Sequence, residues 1–140
     1  MADKLTPERR SRNMARIRAK DSSPEMRVRR LAHRLGYRYR LHRKDLPGKP
    51  DLVFASRKAA VFVHGCFWHQ HPEPSCKDAR RPKSRQDYWD PKLDGNIQRD
   101  ARHIQALEAA GWRVMTIWEC ETLADAELEE RLEAFLDRSL

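Results

Sequence analysis

The sequence predicts a mixed α/β domain: one four-stranded mixed sheet with helices on both faces, in the order αα-βββ-α-β-α. Two observations predict it. Three short β-type stretches follow one another between residues 37 and 64 with only turns between them. A long helical pattern then intervenes before a last stretch rich in Val, Ile and Trp at 112–118, so a strand meander is followed by a crossover helix and a fourth strand. The chain has 140 residues, enough for one respectable core and not for two.

Each element has a local signal. Thr6-Pro7 sets a helix start, Thr at the N-cap and Pro in the first turn, for a helix to about Arg18 that is too polar for a core helix. Ser23-Pro24-Glu25 repeats the signal, and Val28, Leu31, Ala32 and Leu35 follow with the i, i+3, i+4, i+7 spacing of a single buried stripe. Gly36 ends it. Tyr37 to Leu41 alternates aromatic or apolar residues with Arg, the pattern of a half-buried strand. Leu46-Pro47-Gly48-Lys49-Pro50 is a turn, Asp51 to Ala55 a short strand, Ser56-Arg57-Lys58 a tight connection, and Ala59 to His64 a more apolar, central strand. Residues 65–90, with three Pro and two Cys, read as irregular, and a loop of that length in a small domain is functional or pinned. Asp90-Pro91 and Asn96 are start signals for a helix with the stripe Ile97, Ala101, Ile104, Leu107 and a stop at Gly111. Thr122 or Asp125 opens a final acidic helix with Leu128, Leu132, Phe135 and Leu136 inward.

Charge narrows the function. The formal net charge is +8, distributed as +11 over residues 1–50 and −6 over residues 119–140. A basic front half suits a polyanion, nucleic acid being the commonest. No apolar run approaches the roughly 20 residues of a membrane span, and the Arg-rich N-terminus has no apolar signal core, so a cytoplasmic, nucleoid-associated protein is expected. Three cysteines, an odd number, argue against a disulfide framework and leave metal ligation open.

Cys66-x4-His71-x4-Cys76 lies in the irregular segment, and Cys120 follows the last strand. Thiolates with one imidazole suit tetrahedral Zn²⁺, which would pin the Pro-rich loop to the end of a core strand. His69 and His42 are alternative nitrogen donors, and three buried reduced cysteines without metal are the plain alternative. Asp51 opens its strand directly after the Pro-Gly turn, and the next strand ends at His64-Gly65, with His69 five residues on. If the strands pair, a carboxylate, a backbone carbonyl and water meet at one sheet edge, an oxygen-rich site for Mg²⁺. A neighbouring His titrates near working pH and can deprotonate water. The plain alternatives are a turn aspartate and surface histidines. Phe67, Trp68, Tyr88 and Trp89 lie among Lys77, Arg80, Arg81, Lys83 and Arg85, which suits stacking on bases and contact with phosphates, against local packing over the zinc.

Four stretches resemble the Vsr mismatch endonucleases: Arg10-Ser11-Arg12-Asn13-Met14-Ala15-Arg16-Ile17; Leu46 to Asp51; Val61-Phe62-Val63-His64-Gly65-Cys66-Phe67-Trp68-His69-Gln70-His71; and Gly111-Trp112-Arg113-Val114 through Ile117-Trp118-Glu119-Cys120, preceded by Asn96-x-x-Arg99-Asp100. They cover most of residues 9–120, and the third is very specific. The resemblance implies a restriction-endonuclease-like fold with structural zinc on Cys66, His71, Cys76 and Cys120. It implies that Asp51 ligates Mg²⁺ with the Val63 backbone carbonyl, that His69 is the general base, that His64 contacts the scissile phosphate, and that Glu25 is an accessory acidic residue. Val63 stands where the family usually has Thr; a backbone carbonyl ligand needs no hydroxyl. Phe67, Trp68 and Trp89 would wedge beside the mismatch, with Lys92 and Asn96 near the mismatched bases. Met14 and Ile17, on an arm of residues 1–20 ahead of a nuclease domain of residues 21–140, would grip the opposite groove. The implied partner is double-stranded DNA carrying a T:G mismatch, acted on by a monomer alongside other mismatch-repair proteins. A sequence-specific restriction-type nuclease on the same scaffold and a non-catalytic module that binds distorted DNA are the alternatives.

Overall fold

The computed structural model describes residues 23–137, so the expected helix at 6–18, with Met14 and Ile17, lies outside the described residues. Four α-helices are described: α1 (Ser23–Arg34), the single turn α2 (Cys66–His69), α3 (Gln86–Ala109) and α4 (Asp125–Asp137). Four strands form one sheet in chain order: β1 (Arg40–Leu41), β2 (Leu52–Phe54), β3 (Ala59–His64) and β4 (Arg113–Trp118). β1, β2 and β3 pair antiparallel and β3 pairs parallel with β4, as a meander followed by a helical crossover requires.

Alternation along the strands assigns the two faces. Leu52, Phe54, Ala59, Val61 and Ile117 share a core with Val28, Leu31 and Ala32 of α1 and Leu128, Leu132 and Leu136 of α4. Full burial of each such Leu or Val contributes about 1.5–3 kcal/mol, which fixes α1 and α4 against that face. The opposite face carries Ala60, Phe62, His64, Thr116 and Trp118. There α3 lies across a cavity of about 590 Å³ lined by His64, His69, Asp100, Ile104, Thr116 and Trp118, among others.

Three expectations need correction. β1 is two residues long and exposed, because Tyr37 and Tyr39 leave the ladder to pack edge-on against Phe54. α3 begins at Gln86, well before Asp90-Pro91, and carries Pro91 inside it. Its first turn is held from outside, by Trp89 packed on Phe67 and Trp68 and by Arg81 reaching Asp90 and Asp94 at 3.2 and 2.6 Å. Trp89 is therefore a helical residue and not part of a loop. Finally, Ile97, Ala101 and Ile104 do share a face, but it overlooks the cavity, and Ile97 is 41% exposed; the buried α3 residues are Leu93 and Leu107.

Candidate functional site

Three groups of metal-capable side chains occur among the described residues, all close to the end of β3. The first is Glu25, His42 and Asp51, whose donor atoms lie within 4.8 Å of one another. Each comes from a different element. Glu25 is a buried carboxylate in the first turn of α1, where it meets Arg29 one turn on. His42 arrives by strand register: Arg40 faces Val53 and Leu41 faces Leu52, so His42 falls opposite Asp51, and its N–H donates to the Asp51 carbonyl at 3.1 Å. The His42 Nε2 lies 2.9 and 3.1 Å from the two Glu25 oxygens and 3.9 Å from Asp51 Oδ1. The Asp51 carboxylate also accepts the Val63 N–H at 2.7 Å. Burial pushes the Asp51 carboxyl up to about 7; the Val63 N–H pulls it down and the Glu25 carboxylate pushes it up. Two carboxylates crowded into a half-dry pocket beside an imidazole fit a divalent cation, whose charge offsets their repulsion.

The second group follows one residue later. His64 and His69 stack with ring centroids 3.8 Å apart and planes 7° from parallel. His69 Nδ1 lies 2.6 Å from Asp100 Oδ2 on α3. A carboxylate there holds the ring proton on Nδ1 and leaves Nε2 with its lone pair. Burial pushes the His64 imidazole down to about 3, helped by the neighbouring His69, so His64 is neutral at neutral pH.

The third group is Cys66, His71, Cys76 and Cys120, with donor atoms within 4.8 Å of one another. The His71 Nδ1 is 3.5 Å from Cys120 Sγ and 3.8 Å from Cys66 Sγ. In a tetrahedral zinc site, with bonds of about 2.3 Å to sulfur and 2.0–2.1 Å to nitrogen, the sulfur–nitrogen edge is about 3.6 Å. The four residues therefore fit zinc in donor type, number and spacing. The nitrogen donor is His71; His42 and His69, the alternatives the spacing allowed, belong to the other two groups. Burial pushes the Cys66 thiol up to about 12, a penalty on the thiolate that a bound cation reverses.

Beside these groups stands an aromatic ridge. Phe67 and Trp68 meet edge to face at 5.0 Å, and Trp89 packs on them at 5.4 and 5.9 Å. Exposed Tyr88 continues the ridge at 5.0 Å from Trp89, with Lys92 Nζ 5.7 Å from its ring centre. Asn96 is occupied: its amide donates to the Trp68 carbonyl at 2.8 Å. Arg81 is also committed, to Gln70 as well as Asp90 and Asp94, so it braces the loop against α3, while Lys77, Arg80, Lys83 and Arg85 face solvent.

The structure thus brings Asp51 beside Glu25, stacks His64 on His69 and assembles the four zinc-type donors. It adds two residues to which sequence reasoning gave no role at these places, His42 and Asp100. Asp100 had a signal: it occupies the i+3 position of the stripe Ile97, Ala101, Ile104, a carboxylate on an apolar face. His42 could be found only by counting the hairpin register around the turn at 46–50.

The chain is similar to known DNA endonucleases. The family profile described as DNA mismatch endonuclease Vsr matches residues 2–76. The Type II nicking enzyme V.XorIIP of Xanthomonas oryzae pv. oryzae is 53% identical over 139 residues, 99% of this chain and 100% of that protein. The DNA mismatch endonuclease Vsr of Escherichia coli K12 is 38% identical over 141 residues, 97% and 88% of the two chains. In fold, the chain is similar to the catalytic domain of the homing endonuclease I-Bth0305I, with a TM-score of 0.57 at 18% identity over 82% of this chain and 94% of that one. No helix among the described residues is long and apolar enough to cross a membrane.

Proposed function

The chain belongs to the Vsr family of DNA mismatch endonucleases, and from that premise we propose that it nicks one strand of duplex DNA on the 5′ side of the T in a T:G mismatch, with Mg²⁺ at Asp51 and His69 as general base. The observation that carries this is the handover along β3. Val63 N–H holds the Asp51 carboxylate, and the next residue, His64, stacks on His69. A residue's N–H and C=O point to the same side of a strand, so the Val63 carbonyl is directed toward Asp51 as well, consistent with a backbone ligand at the same cation.

The chemistry follows from the donors. When bound at Asp51, Mg²⁺ polarises the phosphodiester and stabilises the departing oxyanion. His69 Nε2 takes the proton of the attacking water while Asp100 retains the Nδ1 proton and steadies the imidazolium that forms. His64, held neutral, meets the scissile phosphate as a hydrogen-bond donor and not as a cation. Water attack leaves a 5′-phosphate end. Glu25 supplies accessory negative charge beside Asp51. The Cys66, His71, Cys76 and Cys120 set offers four protein donors, which leaves no open position for chemistry, so zinc there is structural. Phe67, Trp68 and Trp89 form a ridge suited to wedging into the base stack, with Lys92 at its rim and Asn96 bracing Trp68. The exposed basic residues of the loop suit phosphate contacts, and Met14 and Ile17 on the basic arm of residues 1–20 suit the opposite groove.

End-labelled duplexes with a T:G pair in several sequence contexts, and matched controls, test this. Nicking of the T strand alone, dependent on Mg²⁺, is expected; Asp51→Ala should abolish it while mismatch binding persists. Cleavage of matched duplex would make the chain a sequence-specific nuclease, and binding without nicking would make it a sensor of distorted DNA.

A further inference from the structure

We propose that His42 is a third side-chain ligand of the cation at Asp51, making the site one of two carboxylates and an imidazole that favours Mn²⁺ over Mg²⁺. This rests on the proposed cation site and adds to it a residue and a metal preference.

Four observations support it. The His42 Nε2, the Glu25 carboxylate and the Asp51 carboxylate lie within 4.8 Å of one another, so one ion can bond all three. Nitrogen and both oxygens approach from separate elements, α1, the end of β1 and the start of β2, which surround the site on three sides. His42 is held in place at some cost: its φ is 49°, a left-handed conformation uncommon for a residue other than glycine. Its pairing with Asp51 imposes that geometry from the backbone, since the His42 N–H is committed to the Asp51 carbonyl at 3.1 Å. Strain of this kind persists only where the surroundings over-determine it. Without an ion the imidazole hydrogen-bonds Glu25; as a ligand it would carry its ring proton on Nδ1 and turn the Nε2 lone pair to the ion.

The metal preference follows from ligand chemistry. Mg²⁺ is hard, demands oxygen and keeps most of its water. An imidazole adds little to it, whereas first-row transition ions accept nitrogen readily.

The test uses the full-length, zinc-loaded chain with Mn²⁺ as the probe. Electron paramagnetic resonance should count one bound Mn²⁺, and its echo modulation should show directly coordinated ¹⁴N. His42→Asn suits the left-handed backbone but is too short to reach the ion. It should lose the ¹⁴N signal and weaken Mn²⁺ binding roughly ten- to a hundredfold, with Mg²⁺ affinity by calorimetry within about threefold. His42→Gln, which places an amide oxygen near the Nε2 position, should lose the ¹⁴N signal yet shift preference toward Mg²⁺. Unchanged zinc content and melting temperature show that either variant is folded. A wild-type ion without ¹⁴N coupling, or a coupling that survives both substitutions and so comes from His64 or His69, overturns the His42 assignment. Asp51→Asn separates the two levels. If it abolishes Mn²⁺ binding while both His42 variants bind normally, only His42 falls; if Mn²⁺ binding survives Asp51→Asn, the cation site itself falls, and the proposal with it.

Discussion

The thiolate pocket and the carboxylate–histidine centre sit at opposite ends of one short stretch of chain, residues 63–71, and are built in opposite ways. The thiolate pocket takes three of its four donors from an eleven-residue segment, Cys66 to Cys76, and closes on Cys120 just beyond β4. Its four protein donors match the number a tetrahedral ion takes and would leave no position open. The other centre draws Glu25, His42 and Asp51 from three elements and Asp100 from a fourth; its His64, His69 and Asp100 side borders the cavity of about 590 Å³ that His71 and Cys76 also line. A closed, local set organises the chain; an open, dispersed set is organised by it. The two connect through the single turn α2, in which Cys66 N-caps nothing but begins the helix that ends at His69. Fixing the sulfur end therefore fixes the His69 end.

The sharpest way to break this comparison is to remove zinc. Structural zinc contributes about 10–16 kcal/mol in small sites, as much as the whole stability of a domain, about 5–15 kcal/mol. Exhaustive chelation, or Cys120→Ala, should therefore lower the melting temperature by more than about 10 °C and abolish nicking even with Mg²⁺ in excess. Calorimetry and zinc analysis check it. An unchanged melt after complete zinc loss would mean that the loop is held by the aromatic ridge and the Gln70–Arg81–Asp94 chain alone.

A smaller effect should fall on one side only. Asp100→Asn keeps the shape but can turn its amide NH₂ toward His69, leaving the imidazole proton on the wrong nitrogen. General-base assistance is worth about 10²–10⁴ in rate, so kcat should fall within that range while DNA affinity, zinc content and melting temperature hold. A variant that nicks at the wild-type rate would remove Asp100 from the site and leave His69 oriented by its stack on His64 alone.

The same contrast explains what could be read from the sequence. The thiolate pocket was legible because Cys and His are rare and three of its donors are neighbours. α1 and α4 were legible from periodicity, since one face of each is buried and the pattern records it, while β3 and β4 were legible as short runs of apolar and aromatic residues. α3 was legible as a stripe but not as an environment: periodicity marks residues that share a face, and Ile97, Ala101 and Ile104 do, yet that face looks on the cavity. Its start was missed because Pro91 carries a strong local signal that the packing of Trp89 and the Arg81 ion pairs overrides. His42 was read only as an alternative donor to the thiolates; its place beside Asp51 was invisible to spacing, because only the β1–β2 register sets it there.

The mildest test probes how the dispersed centre is held. The turn before β2 runs through Gly48 and Lys49, at φ 75° and 49°, and a Cβ on Gly48 would meet the Cβ and Cγ of His103 on α3 at 2.9 Å. Gly48 is thus the point at which the Asp51 strand leans on the helix that carries Asp100. Gly48→Ala would bring both a left-handed alanine and a contact with the stem of His103, where the side chain cannot swing away. Strained backbone positions cost of order 1–3 kcal/mol, so a melting temperature lower by several degrees is expected. The fault should reach Asp51 and Asp100 and spare the thiolates: nicking falls more than stability alone explains, Mg²⁺ is needed at higher concentration, and zinc content stays at one per chain. Paired His103→Ala should recover part of the lost stability by opening the space, but not the part owed to φ. If Gly48→Ala released zinc as readily as it slowed nicking, the two centres would be one cooperative unit, and their separation along residues 63–71 would have no energetic meaning.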